Sequence, residues 1–455
     1  MRALFGLGEH PDGEAIIAAY LKDHVRAGMS ESQLERVRDE AIAAARLGRA
    51  FPAYEALDSF AIRVQRRLAV IQEETGRAPT EAEAKRVKVA EARRQRAAVA
   101  GFDLVFSPVK SAALLWALDE RPRVRDAVRA AHEAAVAEAL ALVEEHAAFT
   151  RTGSGGVAQV ETSGLVAAAF EHWDSRAGDP NLHTHVAVSS KVQGKDEKWR
   201  ALDARPLYAM TVAASEAYNT AFEAHLTALL GVTFTPRPGT TAGREPVREI
   251  AGVPPAVITY FSRRRAAIEG RYAELVRDYR AAHGHDPGTG AAYSLARQAN
   301  LDTRQGKEPR RSLAGKRAAW REELEERFGA GMAAQVMGAV PPGPAAEARA
   351  ALAPGVDLQG IAERAVAAVA ARRSTWTVWN VRAEVERLLR AEVPLLPPER
   401  HRATADEVTA LAVSPACCVS CEAPSPLDEP PELRRADGES VFTRCPVSVK
   451  SALSH

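Results

Sequence analysis

The first hundred residues carry apolar positions at helical spacing. Residues 14–28 and 31–48 place apolar side chains at i, i+3, i+4 and i+7 between charged ones, in EAIIAAYLKDHVRAG and ESQLERVRDEAIAAARLG. Residues 81–98 are strongly charged, with Glu and Arg at helical spacing, which is typical of a solvated helix. The pattern therefore predicts a helical N-terminal part over residues 1–100.

A different pattern begins at Gly101. Residues 101–111, GFDLVFSPVKS, alternate apolar and polar positions before a proline, which predicts a strand, a turn and then a helix from about Lys110. The next predicted elements are an amphipathic helix over 122–148, two short strands around a Gly-rich turn over 149–164, a turn at 179–181, a strand over 183–192, a hairpin loop over 193–199 and a helix over 206–230. This mixture predicts an α+β core over residues 101–235.

Breaks rich in Pro and Gly divide the rest of the chain. The stretches PRPGTTAG, AVPPGPAAE and PLLPPERH separate mostly helical segments, so we expect a helical, basic part over 236–330 and a helical linker within 331–455. Residues 417–438 have lost clear periodicity, which predicts a disordered tail.

Composition and charge restrict the class of protein. Of 455 residues, 26% are charged and 46% hydrophobic, which is globular composition. The net charge of +1 supplies no global positive field, so a surface that binds nucleic acid has to be local. Local basic patches occur at Arg263, Arg264, Arg265, Arg304, Lys307, Arg310 and Arg311, although an ordinary solvated helix face explains them equally well. No apolar run or signal-peptide core is present, so we expect no membrane insertion and a cytoplasmic location.

Three histidines form the strongest chemical signal. His183 and His185 are two positions apart on a predicted strand, so both imidazoles project from the same face. His172 lies eleven positions before His183, ahead of a turn that returns the chain beside that strand. Three neutral imidazoles that converge form a transition-metal site with open positions, whereas a His pair alone is more often structural. No acidic residue lies between the strand histidines, so the motif contains no general base.

The sequence around these histidines resembles a known family. EHWDSRAGDPNLHTHVAVSS resembles the three-His, HUH-type motif of MobF-class conjugative relaxases, the TrwC/TraI-like family. GFDLVFSPVKSAALLWAL and KWRALDARPLY are similar to two further segments of that family, and the three matches occur in the family's order. The resemblance covers roughly residues 1–330.

The resemblance implies a fold, a reaction and a set of site residues. It implies a domain built on a palm-like antiparallel sheet with surrounding helices. This domain would cut one strand of plasmid DNA at the transfer origin, where it binds single-stranded DNA, and would have the conjugation coupling machinery as a further partner. The resemblance implies a divalent metal, such as Mg, Mn or Zn, held by His172, His183 and His185 and polarising the scissile phosphate. It also implies that Asp103 orients one ligand imidazole, although an Asp at a strand edge often only caps a turn.

Three basic residues near the motif are candidates for contacts with DNA phosphates. Lys110 stands at the predicted helix start, where a solvated lysine is an equally good interpretation. Arg151 and Arg176 lie close in sequence to the histidines, although most surface arginines have no such specific role.

In this family the nucleophile is a tyrosine hydroxyl, which forms a phosphotyrosyl intermediate. The family's tyrosines lie upstream of the part that resembles RALFGLGEHPD, so we expect the nucleophile segment to be missing and the domain to be truncated there. Tyr20 occupies an apolar position of a predicted helix, which indicates core packing, and the other seven tyrosines lack the family's paired pattern.

The C-terminal part is also expected to be truncated. Residues 374–389, STWTVWNVRAEVERLL, resemble the family's junction with a helicase half, but no GxxxxGK[ST] loop occurs, so we expect no ATP site. Three hypotheses follow: a truncated relaxase, a catalytically inactive relaxase remnant that binds metal and DNA, and a three-His metallohydrolase that uses metal-bound hydroxide.

Overall fold

The computed structural model describes residues 4–5, 8–47, 60–94, 99–238, 245–304, 306, 311–342, 356–393, 396–421, 429–442 and 450–452. The strands are β1 Gly101–Phe106, β2 Phe149–Thr152, β3 Ala158–Glu161, β4 Ala167–Asp174, β5 Pro180–Ser189, β6 Lys191–Gln193, β7 Trp199–Ala201, β8 Phe234–Pro236, β9 Arg248–Ile250, β10 Cys418–Ser420 and β11 Lys450–Ala452. The helices are α1 Gly13–His24, α2 Glu31–Ala44, α3 Phe60–Thr75, α4 Glu81–Arg94, α5 Lys110–Leu118, α6 Pro122–Ala147, α7 Ala204–Ala209, α8 Thr211–Leu230, α9 Pro255–Tyr260, α10 Arg263–His283, α11 Thr289–Asp302, α12 Leu313–Phe328, α13 Met332–Gly338, α14 Leu358–Ala370, α15 Val378–Glu392 and α16 Pro398–Ala412. The fold is α+β with small antiparallel sheets among many helices, as predicted.

The chain divides into two compact units. The first comprises Met1–Asp103, Val160–Ala168 and Ala187–Leu202. The second comprises Leu104–Gln159, Ala169–Val186 and Asp203–His455. No helix within the described ranges is both long and apolar enough to cross a membrane.

The first unit contains the helical N-terminal part. Helix α1 packs on α2, and α3 packs on α4. A capping box starts α2, because the backbone N–H of Gln33 donates to the Ser30 hydroxyl and the Gln33 side chain accepts from the Ser30 N–H. The predicted helix over 14–28 is present as α1, which ends at His24, and the one over 31–48 is present as α2, which ends at Ala44. The predicted helix over 81–98 is present as α4, and residues 95–98 lie outside the described part.

The sheet that carries the histidines has the strand order β1-β5-β4, with β5 in the centre. Five residues, 175–179, connect β4 to β5, so these hydrogen-bonded neighbours run antiparallel. The prediction of a turn at 179–181 is wrong by two residues, because Ser175 and Asp179 close the turn and the strand begins at Pro180. The backbone N–H of Ser175 donates to the Asp179 carbonyl at 2.9 Å, and Pro180, which has no N–H, takes the first strand position.

Long helices in the second unit build its core. Every residue of α5 from Ser111 to Leu118 is buried, α6 packs along α8, and α15 also packs on α8. The predicted helices after residue 110 and over 122–148 are confirmed as α5 and α6. The helix predicted over 206–230 is interrupted at Met210 and is present as α7 and α8.

The C-terminal part is a helical module with its own apolar centre. Helices α14, α15 and α16 enclose a buried cluster that includes Ile361, Trp376, Leu389 and Val408. The prediction of a disordered tail over 417–438 fails at two described places: β10 pairs with β11, and Arg435 is buried, with its guanidinium over the Phe149 ring at 4.8 Å. These contacts join residues far apart in the sequence, which local periodicity does not report. Residues 422–428 of that stretch lie outside the described part.

Candidate metal centre

The structure brings the three predicted histidines together. His172 lies on β4, and His183 and His185 lie on the neighbouring strand β5. Their ring centroids are 5.0 to 5.2 Å apart in all three pairs. One ligand nitrogen from each ring lies within 4.8 Å of the other two, and no other group of three His, Cys, Asp or Glu converges in this way in the part of the chain that the structure describes.

The alternation of β5 explains why two of the rings share a face. Leu182, Thr184 and Val186 are buried at 0%, 8% and 1% exposure, whereas His183 and His185 are only partly buried. Because successive side chains of a strand point to opposite faces, burial of the three even positions fixes the two imidazoles on the other face. The sequence-based placement of these side chains is therefore confirmed.

The hydrogen bonds of His183 suit a metal ligand. Its Nδ1 lies 2.8 Å from the backbone carbonyl oxygen of Asn181. The Asn181 side-chain amide nitrogen lies 3.1 Å from the same Nδ1. The carbonyl contact is shorter and a carbonyl can only accept, so it favours the tautomer in which Nδ1–H donates and Nε2 keeps its lone pair. Burial lowers the pKa of His183, and the imidazoles of His172 and His185 lower it further, which favours the neutral form that binds metals.

The donor set fits a divalent transition metal. Metal–imidazole bonds of about 2.0–2.1 Å require two ligand nitrogens to lie at most about 4.2 Å apart. The observed limit of 4.8 Å therefore differs from a closed site by small side-chain rotations. Three imidazoles leave coordination positions for water or a substrate oxygen.

A buried polar chain lies behind the histidines, and the sequence did not reveal it. His132 of α6 places Nε2 at 2.8 Å from the Thr184 hydroxyl and Nδ1 at 2.8 Å from the Tyr218 hydroxyl. Burial lowers the pKa of His132 to about 4, so the ring is neutral. The one available signal was a histidine on the apolar face of a predicted amphipathic helix.

The turn between the two histidine strands is held by helices of the second unit. Asp179, with 1% exposure, accepts from Arg263 Nε at 2.6 Å and from the Arg264 backbone N–H at 3.2 Å. Trp320 Nε1 donates to the Gly178 carbonyl at 2.7 Å. Lys316 forms an ion pair with Asp174 at the end of β4. These residues position the ends of β4 and β5. The helix residues among them are far from the histidines in sequence, so local patterns do not indicate this role.

Two arginines of the predicted basic patches, Arg263 and Arg264, bind other groups of the protein in the structure. Arg263 pairs with Asp179 and Glu323, and Arg264 donates to Thr303 and to the Asn300 side chain. The guanidinium groups of Arg263 and Arg264 therefore bind neighbouring protein groups. Lys307 and Arg310 lie outside the described residues.

The other predicted site residues are placed differently from one another. Asp103 lies in β1 with an exposed side chain, and its role as an orienting residue stays a prediction. Lys110 begins α5 and donates from Nζ to the Pro180 carbonyl at 2.7 Å, while burial lowers its pKa. Lys110 therefore contacts the first residue of β5, and its contact with DNA also stays a prediction.

The two predicted arginines differ in their surroundings. Arg151 donates to the Asp203 carboxylate at 2.9 Å and to the carbonyls of Gly156 and Val157. Arg176 is partly exposed in the turn between β4 and β5, and its charge helps to lower the pKa of Arg264, for which burial is the larger cause. Arg151 thus pairs with Asp203, whereas Arg176 adds positive charge beside the strands that carry the histidines, and a DNA contact of either residue stays a prediction.

Comparison with known proteins agrees with the motif. A family model described as TrwC relaxase matches residues 1–327. Two multifunctional conjugation proteins TraI are 30% and 29% identical to the chain, over 333 residues in the Escherichia coli protein and 330 in that of strain K12. Each match covers 68% of this chain, which spans 16% of each relative's length.

Solved structures of a conjugative relaxase are also similar. A metal-free structure of the conjugative relaxase TrwC in complex with oriT DNA is 27% identical, has a TM-score of 0.40, and is matched over 50% of this chain and 73% of its own. A metal-bound structure of TrwC with oriT DNA is 24% identical, has a TM-score of 0.41, and is matched over 58% and 86%. Because the family model spans residues 1–327 of 455, the chain belongs to the TrwC relaxase family, and the resemblance inferred from its motifs is confirmed.

Proposed function

We propose that the chain is a metal-dependent DNA relaxase that binds single-stranded DNA at a plasmid transfer origin and cuts that strand at a specific site. The convergence of His172, His183 and His185 on one face of β4 and β5 carries this proposal. Membership of the TrwC relaxase family supports it, as do the TraI relatives, named as conjugation proteins, and the TrwC structures in complex with oriT DNA.

The three imidazoles would hold a divalent ion, with Mg, Mn, Zn or a similar metal as the candidates. A bound ion offsets the negative charge of a scissile phosphate, which is worth several kcal/mol in a transition state. The part played by the chain's own residues is to orient the ligands: the Asn181 carbonyl sets the tautomer of His183, and we propose that Asp103 does the same for another imidazole. Arg176 would attract the DNA backbone towards this face.

The proposed nucleophile is a tyrosine hydroxyl that attacks the scissile phosphorus, so that the 5′ end of the cut strand becomes linked to the protein and a 3′ hydroxyl leaves. Several described tyrosine hydroxyls already have partners. Tyr218 is buried against His132, Tyr260 donates to Glu323, and Tyr20 donates to Glu40. Tyr20 stacks on His24 and is only partly buried, so it is not the core residue that its apolar position predicted.

A covalent-adduct assay tests the proposal. The purified chain is mixed with Mn²⁺ and with single-stranded oligonucleotides tiled across the DNA that flanks its gene, and the products are analysed on a denaturing gel and by mass spectrometry. The relaxase proposal requires a covalent protein–DNA species in which a tyrosine of this chain replaces the family's upstream tyrosines, and peptide mapping identifies that tyrosine. His183→Ala should abolish the covalent species, whereas His283→Ala, which removes an exposed imidazole at the end of α10, should not.

Two outcomes would contradict the relaxase assignment in different ways. Metal-dependent retention of DNA without an adduct would indicate the catalytically inactive remnant. Turnover of a phosphodiester without a covalent protein species would indicate a metallohydrolase that uses metal-bound hydroxide.

The proposed reaction also implies partners and a location. Single-stranded DNA at the transfer origin is the proposed substrate, and the conjugation coupling machinery is the proposed protein partner. Both are encountered in the cytoplasm, where we propose that the chain acts.

A further inference from the structure

The residue between the two strand ligands is attached to the helices behind the sheet. Thr184 points away from the histidine face, and its hydroxyl lies 2.8 Å from His132 Nε2. The other ring nitrogen of His132 lies 2.8 Å from the Tyr218 hydroxyl. The three side chains are buried, with exposures of 8%, 0% and 3% for Thr184, His132 and Tyr218.

The chain of hydrogen bonds is complete. A neutral imidazole has one N–H donor and one acceptor nitrogen, and each hydroxyl both donates and accepts, so both ring nitrogens are satisfied in either tautomer. Buried side-chain nitrogens without a partner do occur among the described residues, at Trp199, Trp376, Trp379 and Arg390, but none belongs to this chain of bonds. A satisfied buried network fixes a geometry, and the loss of one member leaves another polar group unpaired.

The network connects β5 with two long helices. His132 lies on α6 and Tyr218 on α8, which pack along each other. The Tyr218 ring lies against Phe106 and Phe222, with centroid distances of 5.4 and 6.2 Å. His132 of α6 therefore holds the Thr184 hydroxyl directly, and Tyr218 of α8 fixes the His132 ring from its other nitrogen. A shift or tilt of β5 at Thr184 would move its two neighbouring imidazoles together.

We propose that His132, Thr184 and Tyr218 are positioning residues that hold β5 so that His183 and His185 converge with His172 on a metal ion. This inference rests on the proposed metal-dependent function. Outer contacts of metal sites typically change affinity by about 10–100-fold when they are removed. Because these three residues act through the strand rather than on the ligands directly, we expect the lower end of that range.

The test measures metal binding by the full chain with Co²⁺ as the probe, by titration and by its visible absorption spectrum. Thr184→Val keeps the side-chain shape and removes the hydroxyl, and Tyr218→Phe keeps the ring and its packing. We expect each to lower Co²⁺ affinity about tenfold and to change the spectrum, and Thr184→Ser to restore both. If Thr184→Val does not fold, Tyr218→Phe carries the same comparison.

Thr409→Val is the matched control. Thr409 is buried in α16, and its hydroxyl donates to the Ala405 carbonyl at 2.6 Å, so this variant also loses a buried hydroxyl bond. It should lower thermal stability to a similar extent and leave Co²⁺ affinity and spectrum unchanged. If His183→Ala abolishes Co²⁺ binding while Thr184→Val and Tyr218→Phe match the wild-type protein, this inference is overturned and the proposed function is not. If the wild-type chain does not bind Co²⁺, the proposed function and this inference both fail.

Discussion

His401 and Glu386 form a buried ion pair between two helices of the C-terminal module. His401 Nε2 of α16 lies 2.8 Å from Glu386 Oε2 of α15, and the two side chains are 2% and 0% exposed. Arg382 donates to the other oxygen of Glu386, and His401 Nδ1 lies 3.5 Å from Glu138 of α6, which also accepts from His225. The pair therefore connects the module to α6 through charge as well as through apolar packing.

This pair predicts a dependence of stability on pH. Burial opposes charge on both groups, but the partners prevail: the pKa of His401 rises from 6.5 to about 9 and that of Glu386 falls from 4.5 to about 2. The His401 contribution is fully present below about pH 6.5 and is lost as the pH rises through about 9. The Glu386 contribution is present above about pH 4.5 and is lost as the pH falls towards 2. Stability should be highest between these limits, which thermal unfolding over pH 3–10 measures.

Two variants separate this pair from other titrating groups. His401→Gln should remove most of the decline between pH 6.5 and 9. It should lower stability at neutral pH by less than the loss of about 3–5 kcal/mol that is typical of a fully broken buried pair, because Glu386 keeps Arg382 as its one charged partner. His283→Gln removes an exposed histidine and should leave the profile unchanged. If the loss of stability above pH 6.5 persists in His401→Gln, groups other than His401 cause it.

The Asp179 carboxylate predicts a second effect on stability. Because it is buried and accepts from Arg263 and from the Arg264 N–H, Asp179→Asn should lower stability by about 1–3 kcal/mol. Arg265→Gln is the matched control, since neighbouring Arg265 forms an exposed i,i+4 pair with Glu269 worth about 0.3–0.5 kcal/mol. Chemical unfolding of both variants measures the difference, and equal losses would show that the turn does not depend on Asp179.

Local patterns predicted the elements that carry the site. The alternation around His183 and the helical spacing over 122–148 depend on a residue's near neighbours, and both predictions agree with the structure. The same locality explains the errors. The turn at 179–181 was misplaced because Ser175 closes it from outside that tripeptide.

The missed residues share long-range partners. His132 bonds to Thr184, which is 52 positions away, and Asp179 to Arg263, which is 84 positions away. Arg435 bonds to Gln159 at a separation of 276 residues, so its segment looked featureless in the sequence. Side chains of this kind are recognised only when the fold brings their partners together.

Removal of any one of the three imidazoles, those of His172, His183 and His185, should abolish the stabilisation that a bound metal provides. A ligand at about 100 times its dissociation constant stabilises the folded state by about 2.7 kcal/mol. We expect Mn²⁺ to raise the melting temperature of the wild-type chain and to have no such effect on the His172→Ala, His183→Ala or His185→Ala variants. His172 is exposed, so His172→Ala should match the metal-free wild-type chain in stability. A persistent Mn²⁺ effect in all three variants would place the ion elsewhere.

Arg176 and Arg151 should differ in their effect on DNA binding. Arg176 is partly exposed beside the histidine strands, so Arg176→Ala should weaken binding of a single-stranded oligonucleotide and reduce the slope of log K against log salt by about 0.7, with little loss of stability. Arg151 pairs with Asp203, so Arg151→Ala should lower the melting temperature and leave that slope unchanged. Fluorescence anisotropy at several KCl concentrations measures the slope, and thermal unfolding measures the stability. If Arg151→Ala reduced the slope while Arg176→Ala did not, the phosphate contact would belong to Arg151, and its bond to Asp203 would have to open when DNA binds.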